Sequence, residues 1–207
     1  MLITVISCVQ RTGDRAVTIP QLEAHGRVFV SLSPCSPAGP AGNAAASKVA
    51  LLEARRYSEG GVLFCEDDID ISPSFGWFLQ QAQERGVVTW FYTHDSPNSL
   101  RSRFGGEVSR AIMNGDPVPA GLYAAPFPLT GSQCVYIPPD VLALLPLDEL
   151  KDGPCDFFLN SRLVRLGVQG YVALPHPVQH RHSRVARVPD GGVMKRSLSY
   201  GLWGGVA

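Results

Sequence analysis

The sequence predicts an α/β fold: one compact domain with a mainly parallel central sheet flanked by helices. Two observations carry this. Short apolar, β-branched runs recur at residues 3–9, 27–32, 62–65 and 87–92. Helix-forming stretches and Gly/Pro breaks separate them, and strand, helix, strand units of this length imply parallel strands joined by right-handed crossovers. A chain of 207 residues, 45% hydrophobic and 17% charged, can bury a sizeable core and is not expected to be disordered.

Ile3 to Val9 is the first strand, broken at Gln10-Arg11-Thr12-Gly13. Val17 to Ala24 can form a short helix with Pro20 in its first turn. Arg27 to Leu32 is a second strand, ended by Ser33-Pro34 and a Pro/Gly/Ala stretch. Asn43 is the expected N-cap of a helix over Ala44 to Tyr57, stopped by Gly60-Gly61. Val62 to Cys65 is the third strand, Ser74 to Arg85 a helix, and Val87 to Tyr92 the fourth strand. Residues 95–129 are rich in Gly, Pro and Ser, with a helical turn or two around Glu107 to Met113. A connection this long predicts a binding loop or lid. Gln133 to Ile137 reads as a strand, Pro139 to Leu145 as a short helix, and Asp156 to Leu166 as a helix closed by Gly167. Residues 184–207 form a basic tail containing Arg184, Arg187, Lys195 and Arg196.

Eighteen basic residues balance eighteen acidic ones, so the whole molecule has no electrostatic reason to coat nucleic acid or an anionic membrane. The five cysteines lack CxxC spacing and read as buried thiols of a reducing compartment. The start has no basic leader, and its apolar run is too short for a membrane span, so the expected location is the cytoplasm.

VLFCEDDIDIS, residues 62–72, sets Glu66, Asp67, Asp68 and Asp70 at the end of a buried strand. Like charges this close need a cation, and a divalent metal is the expected one. The alternative is a solvated acidic turn. An EF-hand is excluded, since counting from Asp68 puts Pro73 at the required Gly and Leu79 at the required Glu. A DDxxD diphosphate site fails because Ile71 replaces the last Asp.

The stretch GNAAASKVALLEARRYSEGGVLFCEDDIDIS resembles the centre of a nucleotide-sugar-dependent glycosyltransferase of the GT-A, Rossmann-like fold. The resemblance continues at Gly131 to Ile137, at Cys155-Asp156-Phe157-Phe158 and at Val178-Gln179-His180, covering roughly residues 1–183. It implies Asp68 as the direct ligand of Mn²⁺ or Mg²⁺, with Glu66 and Asp67 facing the donor sugar or ribose and His180 as a C-terminal ligand. Asp70 offers a rival register, and His176 and His182 compete with His180. Asp156 matches the general base of inverting members and reads equally as a helix N-cap, two roles that can hold together. Ser7, Arg11, Arg15, Lys48 and Gly131 match donor contacts, and Arg181, Arg184, Lys195 and Arg196 are basic enough to reach the diphosphate.

The partner implied is a nucleoside-diphosphate sugar. The acceptor is open among a glycan, a lipid-linked precursor, a protein, a small molecule and a modified DNA base, and 95–129 would be the acceptor-side loop. Leu32-Ser33-Pro34-Cys35 lacks the acidic residue with which many relatives read uracil, so the base is open too. Two other readings compete: a nucleotidyltransferase on a related sheet, and a non-catalytic binding module that keeps the fold.

Overall fold

Side chains alternate across the first strand: Leu2 and Ile6 join one buried cluster, Ile3 and Val5 another. The same split holds in the third, with Val62 and Phe64 on one face and Leu63 and Cys65 on the other. A sheet apolar on both faces must be covered by helices on both, which is why these strands read as continuous apolar runs.

A computed structural model describes residues 1–33, 39–93, 97–126, 129, 133–151, 154–181 and 200. In chain order these form β1 (Leu2–Cys8), α1 (Thr12–Glu23), β2 (Arg27–Ser33), α2 (Gly39–Tyr57), β3 (Val62–Glu66), β4 (Ile69–Ile71) and α3 (Phe75–Arg85). There follow β5 (Thr89–Trp90), α4 (Pro97–Asn114), β6 (Gly121–Ala125), β7 (Cys134–Ile137), α5 (Pro139–Leu144), a 3₁₀ turn (Leu147–Glu149), α6 (Cys155–Arg165), β8 (Gly170–Leu174) and β9 (Val178–His180).

Seven strands form one sheet in the order β2-β1-β3-β7-β5-β8-β6. β1 pairs parallel with β2 and β3, and β5 with β8, while β7 and β6 run against their neighbours. Five strands therefore share one direction, and the predicted mainly parallel α/β sheet is what forms. From β1 the chain moves outward to β2, then α2 carries it back across to β3. The β1/β3 boundary is thus a topological switch point, where open α/β sheets form a crevice at the carboxyl ends of their strands.

Several local expectations are corrected. α1 starts at Thr12, five residues early, and holds Pro20 well inside rather than in its first turn. Arg15 explains the early start: its guanidinium donates to Ser7 Oγ, the Cys8 carbonyl and the Val9 carbonyl, tying the helix to the end of β1. Asn43 lies within α2 and not at its cap; its side-chain oxygen accepts the Ser47 hydroxyl at 3.1 Å. The α2 stop is as expected. Gly61 has φ 76°, and a Cβ there would lie 2.5 Å from the Ile137 carbonyl oxygen. In place of a loop with a turn or two of helix, residues 97–114 are α4 and Gly121–Ala125 the edge strand β6. Cys8 is disulfide-bonded, against the expectation of thiols throughout, while Cys65, Cys134 and Cys155 are free. Among the described residues no helix is long and apolar enough to cross a membrane.

Candidate functional site

β1 and β3 run in register, Ile6 opposite Glu66, so the residues after each strand emerge side by side at the switch point. Ser7 and Arg11 come from the first, Glu66, Asp67 and Asp68 from the second. The Glu66 N–H donates to the Gln133 carbonyl at 2.9 Å, which ties the end of β3 to the start of β7.

His180 arrives from 112 residues downstream through β4 and β9. These antiparallel strands pair Ile69 with His180, Asp70 with Gln179 and Ile71 with Val178. The Arg181 N–H donates to the Asp68 carbonyl at 2.6 Å and the Ser72 N–H to the Pro177 carbonyl at 2.9 Å, extending the ladder at both ends. His180 Nε2 thereby lies 3.1 Å from Asp68 Oδ2. Single ligand atoms of Glu66, Asp68 and His180 all fall within 4.8 Å of one another. His176 is placed elsewhere, buried with its Nε2 3.0 Å from the Thr93 hydroxyl.

The four carboxylates have unequal environments. Asp67 is fully buried and held on both oxygens, by the Ser7 hydroxyl on Oδ2 and Arg11 Nη1 on Oδ1 at 2.7 Å. Its own carbonyl accepts the Thr18 hydroxyl at 2.6 Å. Asp68, 1% exposed, accepts from Arg11 Nη2 and His180 on Oδ2, while its Oδ1 is buried without a partner. Glu66 is partly buried. Asp70 points away: its side chain is 48% exposed and pairs with Arg181 Nε at 2.8 Å.

Burial pushes the Glu66 carboxyl up to about 7, reinforced by the nearby Asp68 charge. Burial also pushes Asp67 up to about 6, although the Ser7 hydrogen bond and the Arg11 charge pull the other way. Asp68 is buried too, yet the His180 hydrogen bond and the charges of His180 and Arg11 outweigh that and hold it below the usual range. His180 shows the converse: burial opposes its charge, but Asp68 and Glu66 raise it above an ordinary histidine. In the absence of any other cation, Asp68 and His180 thus form an ion pair.

Most of the expected residues gather here, with partners that differ from expectation. Ser7, Arg11 and Arg15 stand at the end of β1, but they hydrogen-bond within the protein: Ser7 and Arg11 hold the acidic run, and Arg15 the end of β1. Arg181 reaches Asp70, the Ile69 carbonyl at 2.5 Å and, at 3.7 Å, Asp14. Lys48 is half-buried on α2 and pairs with none of the cluster's carboxylates. Gly131, His182, Arg184, Lys195 and Arg196 lie outside the described residues.

Asp156 sits in the first turn of α6 and is not its N-cap, a position taken by Pro154. Its Oδ1 accepts the Phe157 N–H at 2.9 Å. Burial pushes the neighbouring Cys155 thiol up to about 12 against a Ser47 hydrogen bond, and the charges of Asp156 and Glu66 both add to that rise, so α6 begins beside the end of β3.

Three residues carry structure that the sequence did not advertise. Thr18, fully buried, donates to the Asp67 and Ile69 carbonyls and so fixes the turn between β3 and β4. Asp14 stands 3.4 Å from Arg11 Nε as an ion pair, which an acidic residue six positions after a strand end does not announce. Asn160 brackets Leu129, donating to its carbonyl and accepting its N–H, each at 2.7 Å.

No protein-family model matches the chain, and no curated protein does. Among solved structures, A197 from STIV is similar at 11% sequence identity and a TM-score of 0.45, over 92% of this chain and 98% of that chain.

Proposed function

We propose that this chain is a metal-dependent glycosyltransferase that moves a sugar from a nucleoside-diphosphate sugar to an acceptor hydroxyl. The observation that carries the reading is the convergence of Glu66, Asp68 and His180 at the β1/β3 switch point, with Asp68 Oδ1 and His180 Nδ1 buried and unpartnered. Two carboxylates and an imidazole fit a borderline divalent ion such as Mn²⁺, and less closely Mg²⁺, which prefers oxygen throughout. Such an ion would neutralise the charge that develops on a departing diphosphate.

The chain's own residues supply the rest. Asp68 is the pivotal ligand, with Glu66 beside it. Ser7, Arg11 and Thr18 hold the Asp67 side of the turn rigid, and the β4/β9 pairing delivers His180. Asp156, at the start of α6, would accept the proton of the attacking hydroxyl. Phe157 beside it is 69% exposed and offers an aromatic face to an acceptor ring.

A thermal-shift panel of nucleoside-diphosphate sugars, with and without Mn²⁺, tests the reading on the unmutated protein and on Asp68→Asn. A donor should raise Tm only with metal and only when Asp68 is intact. No shift with any donor removes the proposal.

One observation favours a second reading. Arg11 and His180 already bring positive charge to Asp67 and Asp68, so the cluster can be a structural ion network in a non-catalytic module. That reading predicts no response to Mn²⁺ at all.

A further inference from the structure

Arg11 stands where an exchangeable cation would be needed. Its side chain is 14% exposed, and it bridges the two buried carboxylates, Nη1 to Asp67 and Nη2 to Asp68. Its Nε faces Asp14 at 3.4 Å without a hydrogen bond. The guanidinium contacts Asp68 Oδ2, the same oxygen that His180 Nε2 approaches, and leaves Oδ1 bare. Asp67 is anchored independently by Ser7 and Thr18, so it does not need Arg11 to stay in place.

We infer that Arg11 is a displaceable internal counter-ion of the site: it neutralises Asp68 in the resting protein, yields that carboxylate when a divalent cation arrives, and turns its freed fork to the donor's diphosphate. The inference rests on the metal-site reading above. The physical grounds are two. A guanidinium on a carboxylate competes with a metal for the same negative charge, and its five donors in a planar fork match phosphate oxygens as well as they match carboxylates. Asp14, beside Nε, remains as the anchor from which the released arm can swing. Cation and diphosphate would then bind cooperatively, because each favours the same position of Arg11.

The test measures Mn²⁺ alone, by electron paramagnetic resonance of the free ion, on the full chain and on Arg11→Gln, Arg11→Lys and Asp68→Asn. Removing the competing charge should tighten Mn²⁺ about ten-fold in Arg11→Gln. Arg11→Lys keeps a charge but not the bridging fork, and should tighten it about three-fold; it decides the matter if the Gln variant does not fold. With inorganic pyrophosphate as probe, Mn²⁺ should strengthen binding to the unmutated chain about ten-fold more than to Arg11→Gln. If the unmutated chain binds Mn²⁺ through Asp68 while neither Arg11 variant binds it more tightly, the inference fails and the metal reading stands. If no form binds Mn²⁺, the metal reading itself falls and takes the inference with it.

Discussion

Raising the pH on the metal-free protein should destabilise it, and Glu66→Gln should remove much of that trend. Burial beside Asp68 moves the Glu66 carboxyl from its ordinary 4.5 to about 7. A carboxyl raised on folding binds its proton more tightly in the native state, so stability is highest below pH ~4.5 and is lost as pH climbs through the native value near 7. At ~1.4 kcal/mol per pH unit, and allowing for the part of Glu66 that meets solvent, the loss is about 2–3 kcal/mol. For a domain of this size that is roughly 5–10 °C in Tm. Asp67, pushed by burial from 3.8 to about 6, acts in the same direction, but its contribution is lost mostly below pH ~6, so the slope above pH ~6 is the part that Glu66→Gln removes. His180 acts in the same direction too: its native value is raised, so its stabilisation is present below pH ~6.5 and fades as pH rises through that native value. Asp68, held low, is ionised across the whole window and adds no slope. The assay is calorimetric melting at pH 5, 6, 7 and 8 in chelator, on the unmutated chain and Glu66→Gln. With saturating Mn²⁺ the slope should reverse, because a coordinating Glu66 and His180 must both have lost their protons. A flat or rising metal-free profile, or equal slopes in the two proteins, would refute this account of the cluster.

Two other perturbations separate the roles of neighbouring groups. Asp70→Asn should leave Mn²⁺ affinity within about two-fold, since Asp70 is half-exposed and paired with Arg181 outside the cluster, whereas Asp68→Asn should abolish binding; titration calorimetry on both variants checks this. Asn160→Ala strips a buried residue of its bonds to the Leu129 N–H and carbonyl, and should cost about 3 kcal/mol of stability in urea unfolding with the slope unchanged.

The elements legible in the sequence are those whose burial is continuous. β1 and β3 are apolar on both faces, and both were placed within a residue or two. β8, GYVAL, escaped although it is buried almost throughout, while the other elements that escaped lack such a signal. β4 is IDI and β9 is VQH, three residues each, too short for any period, and each is a strand only because the other pairs with it across more than a hundred residues. β6, GLYAA, has no β-branched residue and is an edge strand defined by β8. α4 was shortened in expectation by Gly105-Gly106 and its serines, residues that lower helix propensity without forbidding it where an apolar face can dock. The site divides in the same way. The acidic run and the basic residues after β1 were visible as types, and the resemblance ordered them. That Arg11 would grip Asp67 and Asp68 was not visible, because it follows from the β1/β3 register and from no local pattern.

The crowding of carboxylates after β3 admits two physical solutions, a fixed protein cation or an exchangeable one, and the arrangement is graded between them. Asp67 has both oxygens filled by protein donors, Asp68 has one filled and one bare, and Glu66 draws no hydrogen bond from any described side chain. A network serving stability alone has no reason to stop half-way, since a buried charge left partly unmatched costs stability that a well-packed apolar residue would not. Of the buried side-chain atoms left without a partner among the described residues, Arg11 Nε, Asp68 Oδ1, His180 Nδ1 and Arg181 Nη1 belong to the residues that meet here. Deviations from full satisfaction that collect at one point of a fold, around groups with displaced proton affinities, mark the place where something else binds. On that logic Asp67 belongs to the scaffold, Asp68 is the hinge between scaffold and ligand, and Glu66 with His180 is the part of the cluster left open for the ion.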